Sequence, residues 1–470
     1  MMPKLHKELP GFRGITACND TTTEGVETIT NAILVGFRPV LHALWRIECL
    51  RAGITAKECW ITSGGRDIVD ALRDLDNRAQ GEQQAQPAHH IETFDFVAMY
   101  ANIPVTSLLD NMEELLMLVF QHQAKEGFQS MYVRCGYKER GQKPVVRKVQ
   151  WSKHEPVDKD NETKRTHQFY VGPIRLLRWI KFILEEGYVQ FGCNMYKQAS
   201  GIFMGTSPAP DLANDFAFMH ELRFLKVLMN AHDQALATGI DSIYPHHFVE
   251  QFAVGTKRYI DDILTMTLGS KHTDGPVFED IITQDGYYGG MYPSHVRDAN
   301  GHQVPSPISI TKEQAGDTVH FLDMRFLQPK PGTTEIQMYD KREHMESLKN
   351  YRRFPHWETK LARRALFATL HCQLCRFAIR CDPVEHFEVA AAKLIRDMLD
   401  NHYDGKFLDG KLYNFKHKFF NLSLTTRHVR NVNIPDVRNK YWNKLRETVW
   451  ARVRSGNFEV RSGNFEVINL

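Results

Sequence analysis

Short strand patterns and longer helical patterns follow one another along this chain. β-Branched and aromatic residues are concentrated at 92–97 and on both sides of Ile260, which predicts strands. Apolar residues recur at helical spacing over 108–119, and residues 24–52 also have a largely helical pattern. From Glu358 onward the pattern is helical. The pattern therefore predicts a mixed chain with a helical C-terminal part.

Two adjacent carboxylates, Asp261 and Asp262, lie between apolar and β-branched flanks. This pattern predicts two short strands with the acidic pair in the turn that joins them. Two like charges a few Å apart repel each other, so both stay ionised only beside a cation. Mg²⁺ suits such a place because it takes one or two carboxylates plus substrate phosphates. A solvated Asp-Asp turn is the alternative, and other parts of the chain must decide.

A third carboxylate, Asp95, lies inside the predicted strand at 92–97. Burying a charge in an apolar strand is costly unless the charge is paired or bound to metal, although a strand-end aspartate in solvent would fit as well. Farther along, a glycine-rich turn at 198–208 leads into a predicted helix. Glycines there let a base pair or sugar approach the backbone closely, but an ordinary loop before a helix has the same composition.

The charge of the chain is unevenly distributed. Residues 341–470 carry 25 Lys and Arg against 14 Asp and Glu, whereas residues 1–340 carry 34 against 42. An acidic body with a basic C-terminal part suits a metal-dependent site beside a surface that holds a polyanion, although a solvated basic helical face would have the same charge.

Composition excludes several classes of protein. No apolar run reaches the roughly 18 residues that a membrane span needs, and the first residues lack the apolar core of a signal peptide. Eight scattered cysteines do not predict a disulfide framework. We therefore expect an intracellular protein with no membrane partner.

Three further segments have distinct compositions. Residues 135–168 are polar and lack sustained periodicity, which predicts an exposed insertion. Cys372 and Cys375 lie in a helical pattern, which favours small buried thiols over a zinc site. The heptad at 454–460 is repeated at 461–467, which indicates a duplicated tail.

The acidic and glycine-rich segments resemble reverse-transcriptase motifs A, B and C and occur in that order. These segments are Phe94-Asp95-x-x-x-x-Tyr100, Gln198-x-x-Gly201-x-x-Met204-Gly205-x-Ser207-Pro208 and Tyr259-Ile260-Asp261-Asp262. His320-Phe-Leu-Asp323 resembles the next element, at the palm–thumb junction. The segments at 3–7 and 13–15 resemble the start of Penelope-like retroelement reverse transcriptases, relatives of telomerase, with Arg13-Gly14-Ile15 where that family has Arg-Pro-Ile. The resemblance covers most of residues 3–400.

This resemblance implies an α+β fold of the right-hand polymerase type, with fingers, a palm with an antiparallel sheet, and a helical thumb. Residues 1–90 would be fingers, and upstream sequence is expected to be missing because the chain begins almost at the first fingers motif. Residues 91–340 would form the palm with part of the fingers and the insertion near 135–168. Residues 341–450 would form the basic helical thumb, and residues 451–470 the tail.

The implied activity is that of an RNA-directed DNA polymerase that extends a primer 3′-OH by two-metal nucleotidyl transfer. Asp95, Asp261, Asp262 and the backbone oxygen of Phe96 would hold two Mg²⁺ ions, with Mn²⁺ as an alternative. Tyr100 would lie under the incoming sugar. The remaining expected nucleotide contacts are Gln198, Gly201, Met204, Gly205, Lys4, Lys7 and Arg13. The expected nucleic-acid contacts are Ser207, Pro208, Arg352, Arg353 and Lys360.

The partners implied are an RNA template, a DNA primer or RNA–DNA hybrid, and dNTPs, with a nuclear location. No Gly-Ile-Tyr/Tyr-Ile-Gly nuclease pattern follows the thumb, so target cleavage would fall to a separate nuclease. One alternative is a catalytically silent, domesticated nucleic-acid-binding protein on the same fold. Three clustered carboxylates argue against it, because without metal they would repel a polyanion. A terminal transferase or an RNA polymerase variant is the other alternative.

Overall fold

The computed structural model describes most of the chain, in two compact units. The first unit comprises residues 1–62, 94–267 and 272–313, and the second comprises 63–93, 268–271 and 314–470. The described residues are 2–4, 11–13, 21, 23–81, 90–136, 144–155, 161–163, 166–191, 193–239, 244, 246–267, 278–283, 290–293, 295–297, 303–330, 333–340, 354–422 and 435–459.

Helices make up much of both units. Their bounds are α1 Glu24–Val35, α2 Arg38–Arg51, α3 Gly65–Gly81, α4 Met99–Asn102, α5 Val105–Lys125, α6 Pro173–Glu185, α7 Ala209–Thr238, α8 His246–Glu250, α9 Phe278–Thr283, α10 Arg363–Arg380, α11 Val384–Leu399, α12 Gly405–Asn414, α13 Lys416–Leu422 and α14 Pro435–Ser455. A π-helical turn, Gln251–Gly255, follows α8.

The strand pairs β1–β2, β4–β5, β4–β7, β6–β7, β8–β9, β10–β11, β12–β13, β15–β16 and β16–β17, whose bounds follow, are antiparallel. With the helices, they give a fold of the α+β class. The strands are β1 Met2–Lys4, β2 Gly11–Arg13, β3 His90–Phe96, β4 Ser130–Gly136, β5 Val145–Ser152, β6 Asn161–Thr163, β7 Thr166–Val171, β8 Tyr188–Phe191, β9 Asn194–Lys197, β10 Thr256–Tyr259, β11 Asp262–Thr267, β12 His295–Arg297, β13 Gln303–Pro305, β14 Ile310–Ala315, β15 Thr318–Phe321, β16 Met324–Lys330 and β17 Thr333–Met338. The sheets have the orders β1-β2, β5-β4-β7-β6, β8-β9, β10-β11-β3-β14, β12-β13 and β15-β16-β17.

Helix α7 is the central element of the first unit. It begins after Pro208, with a further proline in its first turn where no intrahelical N–H is needed, and it ends at Gly239 in the left-handed conformation (φ 68°). Most side chains from Ala209 to Met229 are buried, so the helix is enclosed on nearly all sides. Trp45 packs against Phe218 of α7 and against Phe252, which builds an aromatic core beside this helix.

The segment expected to be an exposed insertion contains strands. Residues 145–152 and 166–171 pair with β4, and residues 161–163 pair with β7, in the sheet β5-β4-β7-β6. Most side chains of β5 are exposed or half-buried, so its sequence is polar although β5 pairs with β4 along its length. These strands were not predicted from the sequence, and the assignment of the segment as an insertion stays a prediction.

The two strands predicted around the acidic pair form a hairpin, but only Asp261 of the pair lies in its turn, because Asp262 begins β11. Strands β10 and β11 pair with Tyr259 opposite Asp262, so Ile260 and Asp261 form the two-residue turn. Ile260 has φ 61°, a conformation that costs a β-branched residue about 1–2 kcal/mol. The hairpin β15–β16 repeats this arrangement with Leu322 at φ 56° followed by Asp323. Both turns therefore hold an aspartate beside a strained apolar residue.

The second unit is helical from α10 onward, as the sequence predicted. The Asp323 carboxylate forms ion pairs with Arg376 and Arg380 of α10. These ion pairs fasten α10 to the β15–β16 turn. Cys372 is exposed rather than buried, whereas Cys381 at the end of the helix is buried. Within the described residues, no helix is both long enough and apolar enough to cross a membrane.

Candidate active site

The tip of the acidic hairpin is hydrogen bonded to the end of strand β3. The backbone N–H of Phe96 donates to the carbonyl oxygen of Asp261 (3.2 Å). This bond joins the residue after Asp95 to the first aspartate of the pair, although 166 positions separate Asp95 from Asp261 along the chain. The residues that carry the three carboxylates are therefore neighbours in the backbone of the first unit.

The apolar neighbours of Asp95 fix its strand while leaving its own side chain half-buried. Phe94 and Phe96 are both buried, the first against Phe278 (5.8 Å between ring centroids) and the second against Tyr292 (4.8 Å). The two aspartates of the hairpin are half-buried as well. Across the described parts of the chain, no three or more His, Cys, Asp or Glu side chains are grouped so that they could hold a metal ion by themselves.

A buried ion pair holds the hairpin on helix α7. The side chains of Arg258 and Glu221 are both 0% exposed, and Nε of the arginine donates to Oε1 of the glutamate (2.5 Å). Nη1 of Arg258 also donates to Oδ1 of Asn214 (2.7 Å) and to the carbonyl of Ile260 (3.0 Å), and Nη2 donates to the Asn214 carbonyl (3.1 Å). The last residue before Asp261 is therefore tied by its carbonyl to a buried guanidinium.

Tyr100 lies in the short helix α4, which follows β3. Burial raises the pKa of its phenol above the ordinary value, and the carboxylates of Asp261 and Asp211 raise this pKa further. The phenol is thus close enough to the hairpin tip to be affected by its charge. Tyr100 therefore lies within electrostatic reach of Asp261, and its contact with a sugar stays a prediction.

The glycine-rich turn is packed directly on the backbone of α4. The N–H of Ile202 donates to the Tyr100 carbonyl (2.6 Å). Gly201 has φ 79°, and a Cβ there would clash with the carbonyl oxygens of Tyr100 and Ala101, so glycine is required for two reasons. Gly205 also has positive φ (135°) and is exposed, while Met204 is half-buried. This turn therefore belongs to the same site as Tyr100.

Gln198 is turned toward its own loop. Its side-chain Nε2 donates to the Ser200 carbonyl (2.6 Å), and its backbone N–H donates to the Gly187 carbonyl (3.2 Å). The predicted contact of this amide with a nucleotide stays a prediction.

The start of α7 is held by two helices of the first unit. With the Asn31 amide oriented to satisfy its neighbours, it donates to Oδ2 of Asp211 (2.9 Å) and to the Ser207 carbonyl (3.0 Å). Arg38 completes the cluster by donating to Oδ1 of Asp211 (3.0 Å). Ser207 and Pro208 precede the first turn of α7 and are fixed by these contacts.

Sequence reasoning missed the buried carboxylate of Asp215 in α7. Its Oδ2 atom has no hydrogen-bond partner. Burial raises the pKa of this carboxyl well above its ordinary value, and the Asp211 carboxylate raises it further. The signal available in the sequence was an aspartate directly before the apolar run 216–219, because a carboxylate beside buried apolar residues is costly to bury.

The other predicted contacts fall in different parts of the chain. Lys4 and Arg13 lie on the paired strands β1 and β2, where only the backbone is described. Lys7, Arg352 and Arg353 lie outside the described residues. Lys360 is exposed in the segment that precedes α10 of the second unit.

Comparison with known proteins gives structural matches only. No protein-family model matches the chain, and no curated protein matches it. Similar solved structures include telomerase from Candida albicans in complex with a TWJ fragment of telomeric RNA, at 14% identity and a TM-score of 0.39, covering 93% of this chain and 54% of that one. Apo telomerase from Candida tropicalis matches at 13% identity and a TM-score of 0.41, covering 93% and 55%. The chain thus spans about half the length of these structures. TM-scores at this level do not establish a shared fold, so function must be argued from the site itself.

Proposed function

We propose that this protein is a template-directed nucleotidyltransferase of the reverse-transcriptase type, with a right-hand polymerase layout. It would extend the 3′-OH of a DNA primer on an RNA template with dNTPs. The order of the three motifs in the sequence supports this proposal, and the proposed setting is the nucleus.

The observation that carries the proposal is the hydrogen bond between the Phe96 N–H and the Asp261 carbonyl (3.2 Å). A solvated Asp-Asp turn has no reason to be fastened to a second aspartate-bearing strand. Here a strained turn is held by β3 from one direction and by the Arg258 guanidinium from another. Strain that the surroundings maintain is characteristic of functional sites.

The donor set suits a hard divalent cation. Carboxylate oxygens are the ligands that Mg²⁺ prefers, and one or two protein carboxylates suffice when substrate phosphates supply further oxygens. Asp95, Asp261 and Asp262 would hold the ions, which when bound activate the attacking hydroxyl and stabilise the negative charge on the phosphates.

The remaining residues of the site would orient the nucleotide. Tyr100 is half-buried, so its ring could support a sugar, and Gly205 of the glycine-rich turn is exposed, so a base pair could approach the backbone there. Holding the primer end and the nucleotide in one geometry supplies a large part of the rate enhancement in such reactions. The Arg258–Glu221 pair would maintain that geometry without touching the substrate.

The experiment is primer extension by the purified full chain. RNA and DNA templates are each offered with dNTPs or rNTPs, with Mg²⁺ or Mn²⁺, and a single-stranded primer without template is included. We expect dNTP addition on an RNA template that follows the template sequence. Addition without template would indicate a terminal transferase, preference for rNTPs an RNA polymerase, and hybrid binding without any addition a silent nucleic-acid-binding protein. Each of these three results contradicts the proposal.

A further inference from the structure

The hairpin β8–β9 carries apolar side chains that are exposed to solvent. Tyr188 is 47% exposed and Met195 is 64% exposed. The register places Tyr188 opposite Lys197, and Met195 opposite Gln190. Because side chains alternate along a strand, Tyr188, Met195 and Lys197 lie on one face of the hairpin. The Nζ atom of Lys197 lies 5.6 Å from the centroid of the Tyr188 ring.

This hairpin is fixed to the candidate active site. Its base is closed by the hydrogen bond from the Gln198 N–H to the Gly187 carbonyl (3.2 Å). A Cβ at Gly187 would overlap the ring of Phe203, so the glycine-rich turn packs directly against the start of β8. The backbone N–H of Ile202, in the same glycine-rich segment, donates to the Tyr100 carbonyl. The hairpin is therefore linked through the glycine-rich turn to the backbone of Tyr100.

Lys197 gives the hairpin a single positive charge beside the exposed ring. Residues 187–210 contain Lys197 and neither Asp nor Glu. An exposed aromatic ring beside a lysine offers a surface for a nucleobase and a cation for the adjoining phosphate, a combination found in proteins that bind single strands without sequence preference. A protein partner would be met with a broader apolar area, whereas on this face the charged Lys197 lies opposite Tyr188.

We propose that the face formed by Tyr188, Met195 and Lys197 binds single-stranded nucleic acid by base stacking. It would hold unpaired template nucleotides next to the nucleotide site. The placement beside that site rests on the proposed function, whereas the stacking itself does not. The competing occupant is a second copy of the chain, which the experiment separates.

The test compares wild type with Tyr188→Ala and Tyr188→Phe in equilibrium binding without nucleotides. The probes are a fluorescein-labelled single-stranded RNA of about 15 nucleotides, within the range that such sites cover, and a blunt RNA–DNA duplex of equal length. Phe182→Ala is the matched control, because Phe182 is also an exposed aromatic residue but lies on α6 outside the hairpin. Thermal unfolding of each variant confirms that it folds.

Stacking of one base on an aromatic side chain predicts a loss of roughly fivefold or more in single-strand affinity for Tyr188→Ala. Tyr188→Phe and Phe182→Ala should bind as wild type, and blunt-duplex affinity should be unchanged. Wild-type affinity of Tyr188→Ala for the single strand would overturn the proposal, as would an equal loss for both probes. Conversion of a dimer to a monomer by Tyr188→Ala, seen in sedimentation, would assign the face to a second copy and also overturn it. Binding that depends on Tyr188 in a protein that never extends a primer would reject the proposed function and retain this inference.

Discussion

Removal of the Glu221 carboxylate should destabilise the first unit strongly. In the variant Glu221→Leu, the Arg258 guanidinium stays at 0% exposure but loses its counter-ion and two hydrogen bonds. Breaking one side of a buried pair typically costs about 3–5 kcal/mol, because an uncompensated charge remains in the interior. A loss of that size is a large fraction of the roughly 5–15 kcal/mol that stabilises a domain.

A second variant separates stability from positioning. Arg258→Met combined with Glu221→Leu removes both charges, so the double variant should be less destabilised than the sum of the single changes. The double variant will regain only part of the lost stability. Arg258 Nη1 donates to both Asn214 and Ile260, and each acceptor left without a hydrogen bond costs about 1–3 kcal/mol of folding free energy. Primer extension should remain impaired in the double variant, since the carbonyl before Asp261 is no longer held.

Hydrogen exchange read by mass spectrometry localises the effect, because it gives the free energy of opening for peptides from α7 and from the hairpin β10–β11. Asp233→Asn is the control: Asp233 pairs with Arg51 at 2.7 Å, but both side chains are 42% exposed. An exposed pair contributes little to stability, because solvent and salt screen it. A cost for Glu221→Leu no larger than that of Asp233→Asn would refute the reasoning, as would a double variant with the full sum of both losses.

Three further predictions concern other positions. Gly201→Ala should abolish extension and destabilise the first unit, because its Cβ would strike the Tyr100 backbone, whereas Gly239→Ala, at similar φ (68°) in open space, should cost only about 1–2 kcal/mol in urea unfolding. Tyr100→Ala should raise rNTP incorporation relative to dNTP in competition assays, and an equal fall of both rates would mean that the ring only packs. Burial raises the pKa of Glu388 to about 7 from 4.5, so its protonation stabilises the second unit below pH 4.5, and that contribution is lost as pH rises through 7. Glu388→Gln should therefore flatten the dependence of unfolding free energy on pH between these values, and an unchanged slope would contradict the assignment.

Local patterns predicted the acidic hairpin well. The turn before Asp262 is flanked by β-branched and aromatic residues, so the information lies within a few positions. The turn at Leu322 and Asp323 has similar flanks, but it was not predicted as a turn. Strand β5 was missed for the opposite reason: its side chains are mostly exposed, and a polar paired strand has no apolar periodicity to detect.

Long-range pairings could not be predicted from the sequence. Arg258 within a β-prone run was a visible signal, because a charge in an apolar strand needs a partner. Nothing in the sequence identified that partner as Glu221, since 37 positions separate them and only the fold brings them together. The neighbourhood of Tyr100 and Asp261 was expected from the family resemblance and not from residue spacing.

The central claim is tested most directly by single-nucleotide addition with the variant Asp261→Asn. Wild type should add one dNMP to a primer annealed to RNA in the presence of Mg²⁺. The variant should lose roughly 100-fold or more of that rate, the loss typical when a group that stabilises transition-state charge is removed. Its affinity for the hybrid should stay near that of wild type, since phosphate contacts elsewhere supply most of the binding free energy. Addition by Asp261→Asn at the wild-type rate, or no addition by wild type itself, would contradict the account.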